Sequence, residues 1–259
     1  MLVIKQLRKT YENAAVPALA DLTLNCDRGA FVSLLGPSGC GKTTALRIVG
    51  GLLAASGGEI FVDGAPSASP SRDKAMVFQQ FNLLPWRSGE SNVAYGLEVR
   101  GVPKKARLAQ AREYLELVGM ADRARHYPSQ LSGGQNQRLG IARALAVEPK
   151  LMLMDEPFGA LDALTREHLQ GLLQSICATR NLTVLFVTHS IDEAIFLSDR
   201  IVVMTTPGRV LEELDVNLSK PRSIDAYRET AVYTQLRKRI WALLHEPAEV
   251  PTGIGSPEV

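Results

Sequence analysis

Apolar positions fall first into short alternating runs. Val3, Leu7, Leu22 and Leu24 mark strand-like stretches, and Phe31-Val-Ser-Leu-Leu35 is a compact apolar run followed at once by Gly36. Residues 58–64 (Gly-Glu-Ile-Phe-Val-Asp-Gly) read as another strand closed by a turn, and Lys74 to Phe78 as one more. Around Pro85 the period lengthens. Leu108, Ala111, Leu115 and Val118 share one helical face, with Glu113 and Glu116 opposite. From Leu151-Met-Leu-Met154 strand and helix patterns alternate. A helix carries Leu169, Leu172, Leu173 and Ile176, then comes Thr183-Val-Leu-Phe-Val187, and Ser190-Ile-Asp-Glu193 opens the next helix as a capping box. The alternation predicts an α/β fold with a mostly parallel sheet covered by helices on its faces. Asp199 to Pro251 reads as strands plus a C-terminal helix with Tyr233, Leu236, Ile240 and Leu243 on one face. Residues 1–245 are expected to form a single domain with a helical insertion at about 85–130. The stretch 246–259 has three prolines and no aromatics, and is expected to fray.

Composition narrows the classes. The chain has 259 residues, 46% apolar and 22% charged, which excludes wholesale disorder and suits one large domain. No period suggests a solenoid. No apolar stretch reaches the roughly 18 residues that span a bilayer, and the opening Met1-Leu-Val-Ile-Lys5 does not read as a secretion signal. Cys26, Cys40 and Cys177 are far apart with no CxxC pair, so a reducing cytoplasm is expected in place of a disulfide framework or zinc ribbon. A balance of 29 basic against 27 acidic residues does not favour nucleic acid as a partner.

Three constellations carry chemistry. Gly36, Pro37, Ser38, Gly39, Cys40, Gly41, Lys42 and Thr43 match GxxxxGK[ST] after an apolar strand and before a helical run marked by Leu46, Val49, Leu52 and Leu53. Glycines let the backbone wrap a phosphate with its N–H groups inward, and the helix start adds positive potential. Lys42 would reach the β/γ-phosphates, Thr43 would ligate Mg²⁺, and Thr44 adjoins them; Cys40 would lend only its N–H. Leu151-Met-Leu-Met-Asp155-Glu156 ends a strand in two carboxylates, one to hold Mg²⁺ and one to polarise an attacking water. Leu131-Ser132-Gly133-Gly134-Gln135 forms a second anion cradle ahead of a helix bearing Leu139, Ala142 and Leu145.

In this order the three motifs resemble the nucleotide-binding subunit of ABC transporters, over roughly residues 1–215. The resemblance implies a P-loop NTPase core with an N-terminal antiparallel β subdomain and an inserted α-helical subdomain. It also implies roles for single residues. Gln79 resembles the glutamine that touches Mg²⁺ and water, with Gln80 beside it; Gly159-Ala-Leu-Asp162 resembles the D-loop that crosses to a partner subunit. His189 resembles the switch histidine at the γ-phosphate, and Tyr11 the aromatic that stacks on adenine. His126, His168 and His245 read as structural. Asn136 stands where related subunits often carry a basic residue, with no essential effect expected.

The resemblance further implies that two head-to-tail copies bury two ATP molecules, each shared between one copy's P-loop and the other's Leu-Ser-Gly-Gly-Gln. Leu83-Leu-Pro-Trp86, the run Asp155 to Arg166 and Pro207-Gly-Arg-Val210, read as coming after the last sheet strand, look like the ATPases of nitrate, sulfonate and taurine importers. The implied partners are integral-membrane permease subunits, whose coupling helix would use the groove near Trp86, and indirectly a periplasmic binding protein. The implied location is peripheral, on the cytoplasmic face of the cell membrane of a bacterium. The alternative is an ABC ATPase serving DNA repair or translation. It is disfavoured by the absence of a heptad run between the motifs, a single cassette and near-neutral charge. A kinase or GTPase would leave the signature pentapeptide without a task.

Overall fold

The computed structural model describes residues 1–12, 14–159, 161–220 and 222–245. Its strands are β1 (Leu2–Lys9), β2 (Leu19–Cys26), β3 (Phe31–Leu35), β4 (Gly57–Val62), β5 (Ala65–Pro66), β6 (Lys74–Val77), β7 (Leu151–Asp155), β8 (Thr183–Thr188), β9 (Arg200–Thr205) and β10 (Gly208–Asp215). They form one sheet in the order β5-β4-β1-β2-β10-β9-β3-β8-β7-β6. β6, β7, β8, β3 and β9 run parallel; β5, β4, β1 and β2 run antiparallel; β10 joins the two parts, antiparallel to β9 and parallel to β2. The sheet is therefore mixed: a parallel core with an antiparallel N-terminal part.

The central strands are apolar throughout because both of their faces are covered. Successive residues serve opposite cores. Phe31 and Leu35 of β3, Met152 and Met154 of β7, and Val184 and Phe186 of β8 join one cluster. Val32, Leu34, Leu151, Leu153, Leu185 and Val187 join the other. This period of two fixes the register of each strand, since a one-residue slip would exchange the two cores.

The helices are α1 (Lys42–Val49), α2 (Gly89–Val93), α3 (Tyr95–Val99), α4 (Lys104–Leu117), α5 (Gly133–Leu145), α6 (Ala163–Arg180), α7 (Ile191–Leu197), α8 (Ile224–Arg228) and α9 (Ala231–His245). Ala111, Leu115 and Val118 are buried at α4 and Leu139, Ala142 and Leu145 on α5, so the 85–145 region shares the first cluster. Ile240 of α9 is buried in the same cluster. Among the described residues no helix is long and apolar enough to cross a membrane.

Three expectations need correction. The helical run beginning at Lys42 stops at Val49 and does not extend to Leu53. Gly51 adopts φ +76°, and a Cβ there would come within 2.3 Å of the Ser69–Pro70 backbone, so the chain turns away and leaves Leu52 exposed. Gly208–Val210 does not follow the last strand but begins it. Ser190 does cap α7 through the Glu193 N–H at 3.3 Å, but the reciprocal half of the expected box is absent: the Ser190 N–H donates to Thr188 Oγ1 at 3.0 Å. Residues 246–259, Ala160 of the expected D-loop and Pro221 lie outside the described residues.

Candidate nucleotide site

The loop from Gly36 to Gly41 joins the buried strand β3 to α1. Gly41 holds φ +91°, and a Cβ on it would lie 2.4 Å from the Ala18 carbonyl oxygen; at Gly36 it would lie 2.6 Å from the Met204 oxygen. Both positions therefore require glycine for space, while Gly39 (φ +82°) has open space about it. Lys42 turns back over the loop, its Nζ donating to the Gly36 oxygen at 2.7 Å and the Pro37 oxygen at 2.9 Å. The ammonium is thus held over the loop by two of the loop's own carbonyl oxygens. Cys40 is buried beneath it, and that burial pushes its thiol above the usual range, against the opposing pull of Lys42. It is filler in the loop and not a nucleophile.

Thr43 Oγ1 donates to Asp155 Oδ1 at 2.8 Å. Burial at the end of β7 raises the Asp155 pKa, and the bond from Thr43 works the other way. This hydroxyl and carboxylate are hard oxygen donors side by side. Among the described residues no group of three or more His, Cys, Asp or Glu could cage a metal alone. The donor set therefore fits an ion that also draws on phosphate oxygens and water, as Mg²⁺ does in nucleotide sites.

Glu156 follows with φ +45°, an unfavourable backbone conformation for a non-glycine residue, while its N–H donates to the Val187 oxygen at 2.9 Å. The twist brings its carboxylate between two loops. Gln79 Nε2 donates to Glu156 Oε2 at 3.4 Å, and His189 Nδ1 lies 3.3 Å from the same oxygen. It is Gln79, not Gln80, that makes this contact. His189 stays 66% exposed, so its ring remains open to a ligand. Tyr11 is 42% exposed and shares a hydrogen bond of 3.1 Å between its hydroxyl and Thr44 Oγ1, which brings an aromatic face next to α1.

The remaining expected residues form a second group. A cavity of ≈ 630 Å³ is lined by Ser132, Gly133, Gly134, Gln135, Asp162 and Thr165 among others, and none of residues 36–44 lines it. Ser132 caps α5 in a full capping box: its Oγ accepts from the Gln135 N–H at 3.3 Å, and Gln135 Oε1 accepts from the Ser132 N–H at 2.9 Å. Gln135 is thus committed to shaping the turn. Asp162 caps α6 by accepting from the Thr165 N–H at 3.0 Å, which lowers its pKa. The chain therefore carries two anion-ready loops that face separate spaces.

One residue that braces the site leaves no signal in the sequence. Arg143 of α5 donates to the Asn82 oxygen at 2.7 Å and the Phe81 oxygen at 3.0 Å, fastening the loop after Gln79. Its partners are main-chain oxygens far away in sequence, which leave no local trace.

A glycine-rich loop between a buried parallel strand and a helix, with two acids ending a neighbouring strand, defines a P-loop nucleoside triphosphatase. The model of the ABC transporter family matches residues 19–159. An uncharacterized ABC transporter ATP-binding protein of Methanocaldococcus jannaschii is 44% identical, with 95% of this chain and 91% of that protein covered. A taurine import ATP-binding protein of Pseudomonas entomophila is 46% identical, with 85% of each covered. A bacterial ABC transporter cassette solved as a dimer superposes with a TM-score of 0.77 at 37% identity, covering 85% of this chain and all of that one. The same cassette, solved after hydrolysis with ADP and phosphate, matches with the same TM-score at 36% identity and the same coverage. The chain belongs to the ABC transporter family and is an ATP-binding, ATP-hydrolysing member of it.

Proposed function

We propose that this chain powers a bacterial ABC importer for small anions of the taurine, sulfonate or nitrate kind, working as an ATP-dependent homodimer. The observation that carries the ATPase site is the convergence of Gln79 and His189 on one oxygen of Glu156, next to the Asp155–Thr43 pair. With Oε2 engaged, Oε1 of Glu156 accepts the proton of a water attacking the γ-phosphate. His189 and Gln79 orient the carboxylate, and His189 also donates to the γ-phosphate. The P-loop N–H groups and Lys42 take the negative charge that develops, and Tyr11 stacks on adenine. Mg²⁺, bound by Thr43 and Asp155 with Gln79 nearby, would neutralise the phosphate oxygens.

The second half of each site is Ser132, Gly133 and Gly134 of the opposite copy, with Asp162 at the crossing. The separation of the two anion-ready loops within one chain supports this. Permease subunits would dock where Trp86 stands 71% exposed, beside Arg87, whose guanidinium lies 5.0 Å from the Tyr95 ring centroid. Tyr95, Val99 and Met76 line the adjoining groove of ≈ 600 Å³. A periplasmic binding protein would deliver the cargo from the other side of the membrane. The taurine importers among the relatives support the cargo class.

The test is Glu156→Gln. It is expected to bind ATP at close to the wild-type affinity, lose turnover by about a thousandfold or more, accumulate an ATP-bound dimer on size exclusion, and abolish cellular uptake of the sulfonate. Near-normal hydrolysis by this variant would show that the base is assigned wrongly. Intact uptake without hydrolysis would remove the importer reading.

A further inference from the structure

Glu193 is a carboxylate buried on α7, and nothing above gives it a task. It accepts from Thr188 Oγ1 at 2.6 Å on Oε2 and from Gln170 Nε2 at 3.3 Å on Oε1. Thr188 immediately precedes His189, and its hydroxyl also accepts from the Ser190 N–H at 3.0 Å. The Thr188 side chain therefore spans the His189 backbone on both sides, and Glu193 anchors it. This explains the missing half of the α7 capping box: the carboxylate serves Thr188 in place of its own helix start.

The other side of Glu193 faces α6. Arg166 Nε lies 3.8 Å from Glu193 Oε1, a charge contact that is not a hydrogen bond, and this Nε is buried with no hydrogen-bond partner. The same guanidinium donates through Nη2 to the Leu161 oxygen at 2.7 Å, within the segment that Asp162 caps. That segment in turn touches the signature loop. A Cβ on Gly134 would sit 2.7 Å from Thr165 Cγ2 and 3.8 Å from Leu161 Cδ2. A chain of neighbours thus runs from Gly134 through Thr165 and Arg166 to Glu193, Thr188, His189 and Glu156. A shift of about 1 Å in the 161–166 segment would convert the Arg166–Glu193 contact into a hydrogen bond.

We propose that Arg166 and Glu193 are positioning residues that couple the chain's own signature loop to the alignment of its own His189. This rests on the ATPase dimer reading above. There the signature loop grips the partner's nucleotide while His189 acts on the chain's own, so the relay makes each site sense the other. A half-buried ion pair that completes only in one arrangement is a bistable element of the kind that transmits such coupling.

The experiment uses the full-length chain, steady-state ATPase kinetics, nucleotide binding and thermal melting on Glu193→Gln, Arg166→Ala and the double variant. Glu193→Gln keeps an acceptor for Thr188 and removes the charge facing Arg166. Arg166 is partly exposed, so its removal is tolerated by the fold even if the Glu193 variant is not. Each single variant is expected to lower kcat about tenfold with KM for ATP and the melting temperature nearly unchanged, within the range known for residues along coupling networks. The double variant is expected to be no worse than the worse single one. An unchanged kcat, a loss matched by falling melting temperature, or losses that multiply in the double variant would each overturn the relay. A wild-type chain without ATPase activity would instead overturn the functional reading itself.

Discussion

Asp155 and Thr43 pose the site's electrostatic problem at the scale of single residues. The carboxylate is buried, its pKa is raised by that burial, and one hydroxyl answers it. An acid whose pKa rises on folding binds a proton more readily in the folded chain than in the unfolded one. Its charge therefore lowers stability at neutral pH, and the loss is recovered as pH falls through the raised value. Asp155→Asn keeps an oxygen for Thr43 and removes the desolvated charge. It is expected to leave the nucleotide-free protein as stable as wild type or about 1 kcal/mol more stable, while hydrolysis disappears. Melting curves at neutral and mildly acidic pH check this, since the difference from wild type should shrink on acidification. A clear destabilisation at neutral pH would mean that Asp155 is a structural acceptor and that its ionised form is not held for a metal. Glu156 is a parallel case in the backbone: its φ of +45° is unfavourable for a residue with a side chain, and it aims the carboxylate at Gln79 and His189.

Elements explain why part of the molecule was legible in the sequence and part was not. The strands β3, β7 and β8 were legible because each is buried on both faces and reads as a short apolar run. The P-loop and the signature were legible because phosphate binding restricts residue type at fixed spacing. What escaped was decided by contacts distant in sequence. The end of α1 depends on Gly51 avoiding Ser69 and Pro70, β10 on a parallel pairing with β2, and the half-made cap of α7 on Thr188 competing for Glu193. Arg222 is the largest such omission. Its guanidinium is buried between α7 and the chain after β10, donating to the oxygens of Ile195, Phe196 and Ser198 at 2.8–2.9 Å and of Leu218 at 3.2 Å. The cation suits the carbonyl end of α7; without it the Ile195 and Ser198 oxygens lose this donor, while the Phe196 oxygen keeps Gln174 Nε2 at 3.1 Å. Arg222→Ala is expected to cost about 2–4 kcal/mol, seen in denaturant unfolding. Hydrolysis at low temperature should change little, because none of these contacts reaches the P-loop. A variant as stable as wild type would mean that water replaces the guanidinium freely.

At the scale of the whole molecule, one chain carries both anion-ready loops yet gives them to different spaces. Residues 36–44 meet Asp155 and Glu156 at the ends of the parallel strands, whereas Ser132 to Gly134 open with Asp162 and Thr165 onto a cavity of their own. In the dimer proposed above, a chain built this way completes each phosphate site with a second copy turned head to tail. That geometry makes a complementation prediction. Lys42→Ala destroys the P-loop and keeps the signature; Ser132→Arg fills the signature cradle and keeps the P-loop. Each variant alone forms only dimers whose two sites are both broken, so each is expected to be inactive. Mixed in equal amounts, half of the dimers pair unlike chains, and each such dimer holds one intact site made from the Ser132→Arg P-loop and the Lys42→Ala signature. ATPase activity is then expected to recover to about a quarter of wild type when random pairing is allowed and sites act singly. A smaller recovery would measure how far one site needs the other, the quantity that the Arg166–Glu193 relay sets. No recovery at all, with mixed dimers shown to form, would mean that the two loops do not share a nucleotide.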